Sequence, residues 1–135
     1  MKEYRIDETK GMEFGLYSLG DHMGNPHTGK MISAEQRIEN FIEAAKLSEQ
    51  AGLDVFALGE SHQEHFTSQA HTVILGAIAQ ATSKIKIASS STVLSVSDPV
   101  RVYEDFATLD LISHGRAEIV AGRGSRVGAY RLLGY

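Results

Sequence analysis

The chain has no cysteine, no tryptophan and only 2 prolines in 135 residues. Without cysteine there is no disulfide, no thiolate nucleophile and no zinc–thiolate site. So few prolines leave room for long regular elements. Basic charge is scarce too: 13 Lys and Arg stand against 17 Asp and Glu, a formal charge of -4. A general nucleic-acid or membrane-surface binder needs a basic face, which this balance does not provide. No window approaches the roughly 18 apolar residues that span a bilayer. Met1–Gly11 is polar, with no apolar run behind it, so it reads as a polar leader and not a targeting signal. The expectation is a cytoplasmic protein that binds neither nucleic acid nor membrane.

What is present is globular in character, with 42% hydrophobic and 22% charged residues. The hydrophobic period switches along the chain. Met12–Leu19 is short, apolar and aromatic, and reads as a strand. A Gly/His-rich loop follows over Gly20–Ile32. Ser33 with Gln36 has the pattern of a capping box. Behind it Ile38, Phe41, Ile42 and Ala45 repeat at helical spacing, and Gly52 ends the helix. Asp54–Gly59 reads as a buried strand and Glu60–Ser68 as a loop rich in titratable groups. Ile74, Leu75, Ile78 and Ala81 mark a second helix, and Ile85–Leu94 a third strand. Asp98-Pro99 is an N-cap with proline behind it, and Gly115 stops that third helix. Arg116–Ala121 reads as a fourth strand, and Arg126–Tyr135 begins a fourth helix. This alternation predicts an α/β fold with a parallel sheet and right-handed crossovers.

Such sheets carry their sites at the carboxyl ends of the strands. Asp21 and His22 follow the first strand. Glu60, Ser61, His62, Glu64 and His65 follow the second. Ser89, Ser90, Ser91 and Thr92 lie in the third, and Arg123 and Ser125 follow the fourth. His114 falls at the other end, as a partner for a helix dipole. Glu60 directly ends an apolar strand, where a buried carboxylate without a partner is costly. His62 is a candidate acid/base, histidine being the residue type most often used for proton transfer. The serines are small enough to let a flat ligand approach the backbone. Gly122 and Gly124 can turn backbone N–H groups toward an anion, with the Arg123 guanidinium beside them. Gly128 stands one residue too far for a dinucleotide fingerprint, and no Gly-Lys-Ser/Thr follows. Glu60, His62 and His65 also offer metal ligands, which keeps a metal-dependent hydrolase as an alternative, although their spacing matches no strong zinc signature.

Three segments, FGLYSLGD, EAAKLSEQAGLDVFALGESHQEHF and IKIASSSTVLSVSDPVRVYEDFATLDLISHGRAEIVAGRGS, carry a wider likeness. Together they make the chain resemble the N-terminal half of bacterial luciferase-like, flavin-dependent monooxygenases. The resemblance covers nearly all of Met12–Tyr135, and DPVRVYEDFATLDLISHGR is its most specific part. It implies the N-terminal (β/α)4 half of a TIM-type (β/α)8 barrel. It implies reduced FMN, or in some relatives a deazaflavin, bound at the carboxyl rim to oxidise a small organic substrate with oxygen. A flavin reductase is then a natural partner. Glu60-Ser61-His62 matches the family's Glu-His-His segment, with Ser61 where the luciferases place their acid/base histidine. Bioluminescence is therefore not implied. Ser90-Ser91 matches the cis peptide beneath the flavin ring. Arg123, beside Gly122, matches an arginine near the FMN phosphate.

A complete barrel of this kind needs roughly 200–250 residues. At 135 residues the chain reads as one partial barrel domain, which implies either a homo-oligomer or a missing C-terminal half. A non-catalytic flavin-binding or assembly module is the alternative to an enzyme.

Overall fold

The computed structural model describes Thr9 and residues 11–135. The expected polar leader, apart from Thr9 and Gly11, lies outside the described residues. The elements are β1 (Gly15–Ser18), α1 (Ala34–Gln50), β2 (Val55–Leu58), α2 (His71–Ala81), β3 (Lys86–Ser89) and β4 (Thr92–Val93). After a 3-10 turn (Leu94–Val96) come α3 (Pro99–Ser113), β5 (Ala117–Glu118), β6 (Ala121–Gly122) and α4 (Val127–Leu133). One parallel sheet has the order β1-β2-β3-β5, and β4 pairs with β6 in a second, also parallel. Strand and helix alternate as in part of a (β/α) barrel. No helix among the described residues is long and apolar enough to cross a membrane.

The helix ends follow local chemistry. Ser33 accepts from the Gln36 N–H at 3.0 Å. The Gln36 amide turns to Glu39 and Asn40 instead of back to Ser33, so half of the capping box forms. Asp98 accepts from the N–H groups of Val100 and Arg101, with Pro99 behind it. His114 is the C-cap of α3, in a left-handed conformation. Helix α2 starts at His71 with no side-chain cap.

Three strands differ from expectation. The first shortens to Gly15–Ser18, because its one neighbour in the sheet, β2, begins at Val55 opposite Gly15. The third, expected over Ile85–Leu94, breaks at Ser90–Ser91, whose peptide bond is cis. The fourth, expected over Arg116–Ala121, breaks at Ile119–Val120. The breaks occur together because the two strands stay paired with each other but shift register by one residue there: Ala88 faces Glu118 before the break and Thr92 faces Ala121 after it. Val120 N–H donates to the Ser89 hydroxyl at 3.1 Å, and Thr92 N–H donates to the Val120 carbonyl at 2.9 Å.

Alternation along the strands sorts their side chains. Phe56, Leu58 and Ile87 are fully buried against the helices, with Phe41 of α1 and Leu75 and Ile78 of α2. Val55, Ala57, Ala88 and Tyr17 take the other face, where Lys86 pairs with Glu13 at 2.7 Å and Glu118 at 3.2 Å. Two polar clamps close the end of the sheet remote from the site. The Glu49 carboxylate accepts the N–H groups of Ser83, Lys84 and Ile85. The Arg116 guanidinium donates to the carbonyls of Ala79, Thr82, Ile85 and Ser113 and to the Thr82 hydroxyl.

Candidate functional site

Each strand that ends at the rim delivers a short or polar residue there, and together they enclose a cavity of about 560 Å³. Gly59, Ser90 and Ser91 make its floor, Tyr17 and Phe66 part of its wall, and Arg126 and Tyr130 its far side. The floor has no room to spare: a Cβ on Gly59 would lie 3.1 Å from the Ser90 carbonyl oxygen and 3.3 Å from the Tyr17 hydroxyl.

Glu60 follows directly, with its side chain 5% exposed. Its carboxylate is fully engaged. Oε1 lies 2.6 Å from His62 Nε2, and Oε2 accepts the Val93 N–H at 2.7 Å. Oε2 also lies 3.8 Å from His71 Nδ1. Two of these contacts, from His62 and the Val93 N–H, are at hydrogen-bond distance. His62 and Ser61 both line the cavity.

His71 is the residue that sequence reasoning passed over. It is buried at the first turn of α2, and its Nε2 lies 2.9 Å from the Thr92 hydroxyl. Burial pushes its pKa below the ordinary 6.5; the charges of Glu60 and Asp105 act against this and that of His62 with it. Its only signal in the sequence was a histidine opening an otherwise apolar helix.

The other expected residues divide. Ser90 and Ser91 border the cavity, whereas the Ser89 hydroxyl is buried against Val120. Gly124 and Ser125 border it too, but Gly122 and Arg123 do not. Gly122 sits where a Cβ would run into the Ser91 side chain, so the glycine permits the crossing of β6 over that segment. Arg123 is exposed, and its carbonyl accepts from the Tyr130 hydroxyl at 3.1 Å. Arg126 and Tyr130, from the start of the last helix, reach the cavity although no motif marked them. Asp21 is held by Arg37, and His22 Nε2 lies 2.8 Å from the Ile32 carbonyl oxygen, so both tie the first loop. Glu64 and His65 are exposed. Among the described residues no group of three or more His, Asp or Glu side chains is placed to hold a metal ion.

The beta chain of alkanal monooxygenase from Vibrio harveyi is 31% identical over 106 residues, 78% of this chain and 31% of that protein. The oxygenating constituent of 3,6-diketocamphane monooxygenase from Pseudomonas putida, solved in complex with FMN, superposes with a TM-score of 0.79. The match is 23% identical and covers 92% of this chain and 33% of the other. The coenzyme F420 dependent tetrahydromethanopterin reductase of Methanopyrus kandleri matches with a TM-score of 0.64 at 25% identity, over 90% of this chain and 30% of that one. The chain thus spans about a third of the length of the relatives it matches. Its fold is that of part of a (β/α)8 barrel. The family model for luciferase-like monooxygenases matches residues 12–135, and the chain belongs to that family.

Proposed function

We propose that this chain provides one side of the flavin site of a flavin-dependent monooxygenase, which uses reduced FMN and oxygen to oxidise a small organic substrate. The observation that carries the reading is the rim cavity floored by Gly59, Ser90 and Ser91 in a chain of this family. Backbone and short side chains give a floor that accepts a flat ring. The volume of about 560 Å³ falls within the usual range for small-molecule sites. A bound reduced flavin supplies the electrons for oxygen chemistry, and the protein supplies orientation and a dry surface.

In this reading Ser90 and Ser91 lie beneath the ring, and Gly122 lets β6 back them. Arg123, exposed next to the cavity segment, and Arg126, which lines it, offer guanidinium groups to an anionic tail. Glu60 fixes the His62 ring through Nε2. Among the described residues Nδ1 of His62 makes no hydrogen bond, and it is the atom that takes or gives a proton in the cavity. Ser61 cannot serve as an acid/base at neutral pH, so light emission is not part of the proposed activity.

FMN is favoured over a deazaflavin because the fold matches the FMN complex at a TM-score of 0.79 and the F420 dependent enzyme at 0.64. A separate flavin reductase is the expected electron source, as for other oxygenating components, and a cytoplasmic setting suits that pairing. Residues 12–135 then form one partial barrel domain, completed by a C-terminal half or by another copy.

Oxygen uptake tests the proposal. The purified protein is supplied with NADH, a flavin reductase, FMN and a panel of aldehydes, ketones and thioethers. Uptake that depends on the protein and on one of these substrates supports it. Tight flavin binding with no coupled uptake of oxygen overturns it in favour of a non-catalytic flavin-binding module.

A further inference from the structure

Behind the flavin-side cavity lies a second one, of about 410 Å³, between the first turns of α2 and α3. Glu60 is the one residue that borders both. On one side it meets His62, which lines the first cavity. On the other it meets His71, which lines the second together with Thr92. The three titratable side chains are buried in a row, with exposures of 14% for His62, 5% for Glu60 and 7% for His71. Two contacts of the row are at hydrogen-bond distance, 2.6 Å from His62 to Glu60 and 2.9 Å from His71 to Thr92. The middle gap, 3.8 Å from Glu60 Oε2 to His71 Nδ1, is closed to a hydrogen bond by a ring movement of about 1 Å.

We propose that His71 is a positioning residue that passes protons: it connects Glu60 and His62 to the second cavity, so that protons enter and leave the reaction site from behind. A chain of buried groups with one member facing each cavity has no packing reason to be titratable throughout, since an apolar wall would close the site at least as well. The transfer balances. His62 takes a proton at Nδ1 and releases the one at Nε2 to Glu60 Oε1. The carboxyl then turns about its Cγ–Cδ bond, which brings the protonated oxygen to the His71 side, and releases that proton to His71 Nδ1. His71 gives its Nε2 proton to the Thr92 hydroxyl, which passes its own to water in the second cavity. One proton crosses, and each group ends with the charge it began with.

Other charges near His71 fit this direction of exit. Asp105 of α3 faces it and accepts from the Thr72 hydroxyl at 3.2 Å. Asp98 and Arg101 of α3 border the same cavity, with Asp98 capping its own helix and Arg101 paired to Glu104. Phe106 closes the apolar side, its ring 6.3 Å from that of His71. Burial lowers the His71 pKa and so favours the neutral imidazole, which accepts at one nitrogen while donating from the other.

This inference rests on the reading of the first cavity as a reaction site, yet its test does not require flavin. The ring nitrogens of His62 and His71 are followed by long-range 1H–15N correlation across pH 4.5–9 in the labelled chain. Groups that share a proton titrate as a pair, in steps separated by about 1 pH unit or more. Both histidines are therefore expected to show two-step curves with common midpoints. In His71→Gln the His62 curve becomes a single step. Should that variant fail to fold, Glu60→Gln provides the same comparison, and the wild-type curves decide on their own. Independent single-step curves for His62 and His71 in the wild type overturn the proposal. If the histidines titrate as a pair in a protein that binds no flavin, the relay stands and the flavin reading falls.

Discussion

Glu60 shows what one residue decides at this rim. A carboxylate 5% exposed survives there because His62 and the Val93 N–H both bond to it. Glu60→Ala leaves both without an acceptor, and we predict a loss of about 1–3 kcal/mol, read from urea unfolding. Glu60→Gln keeps an oxygen for Val93 and should cost less. Gly122 offers a second test. Gly122→Ala drives a methyl group into the Ser91 side chain and should cost about 1–3 kcal/mol. Adding Ser91→Gly removes the obstacle and should restore much of the loss, a coupling that a double-mutant cycle measures. That Glu60 needs a partner was legible in the sequence, because an apolar run ended on a carboxylate. His71 was not legible. Periodicity places a residue on a helix, but not against a particular loop on another element. Arg123 and Gly122 were legible as a motif, yet the turn after β6 carries Arg126 into the cavity lining in their place.

Among the elements, two clamps hold helix ends to strands. Arg116 bonds four carbonyls at the carboxyl ends of α2 and α3 and at the start of β3. A lysine cannot span that fan of acceptors. Arg116→Lys should cost about 2 kcal/mol and lower the thermal midpoint by several degrees. Glu49 works at the same end. Burial pushes its carboxyl up, but the N–H groups of Ile85, Lys84 and Ser83 outweigh this and hold it down to about 2, against an ordinary 4.5. A depressed carboxylate stabilises fully above its unfolded value, and the contribution is lost as pH falls through the folded one. Wild-type stability should therefore erode from about pH 5 to pH 2, and Glu49→Gln should flatten that part of the curve. Thermal unfolding at several pH values checks both. Helix caps at Ser33 and Asp98 could be read in advance, since each acts on residues two or three positions away. The breaks in the third and fourth strands could not, because they arise from a one-residue shift of register between strands distant in sequence.

The whole molecule presents an unfinished surface. Strands β1 and β5 form the edges of the first sheet, and Leu16, Tyr17, Ile119 and Val120 are all more than 40% exposed. Open edges and apolar faces favour association. At micromolar concentration the chain by itself should elute above its monomer mass in size-exclusion chromatography with light scattering; a stable monomer would refute this. The parallel sheet followed from the alternation of strand and helix periods, which local spacing encodes, and the partial barrel from the resemblance to the family. What closes the open face is encoded in residues that would pack against it. The central claim, that the rim cavity takes a flavin, has a direct test. FMN is titrated by fluorescence into concentrated protein, beside Gly59→Val, whose side chain would fill the floor. The account predicts saturable quenching for the wild type and its loss, by tenfold or more in affinity as for about 1.4 kcal/mol, in the variant. Equal quenching by both proteins, or none by the wild type, would contradict it.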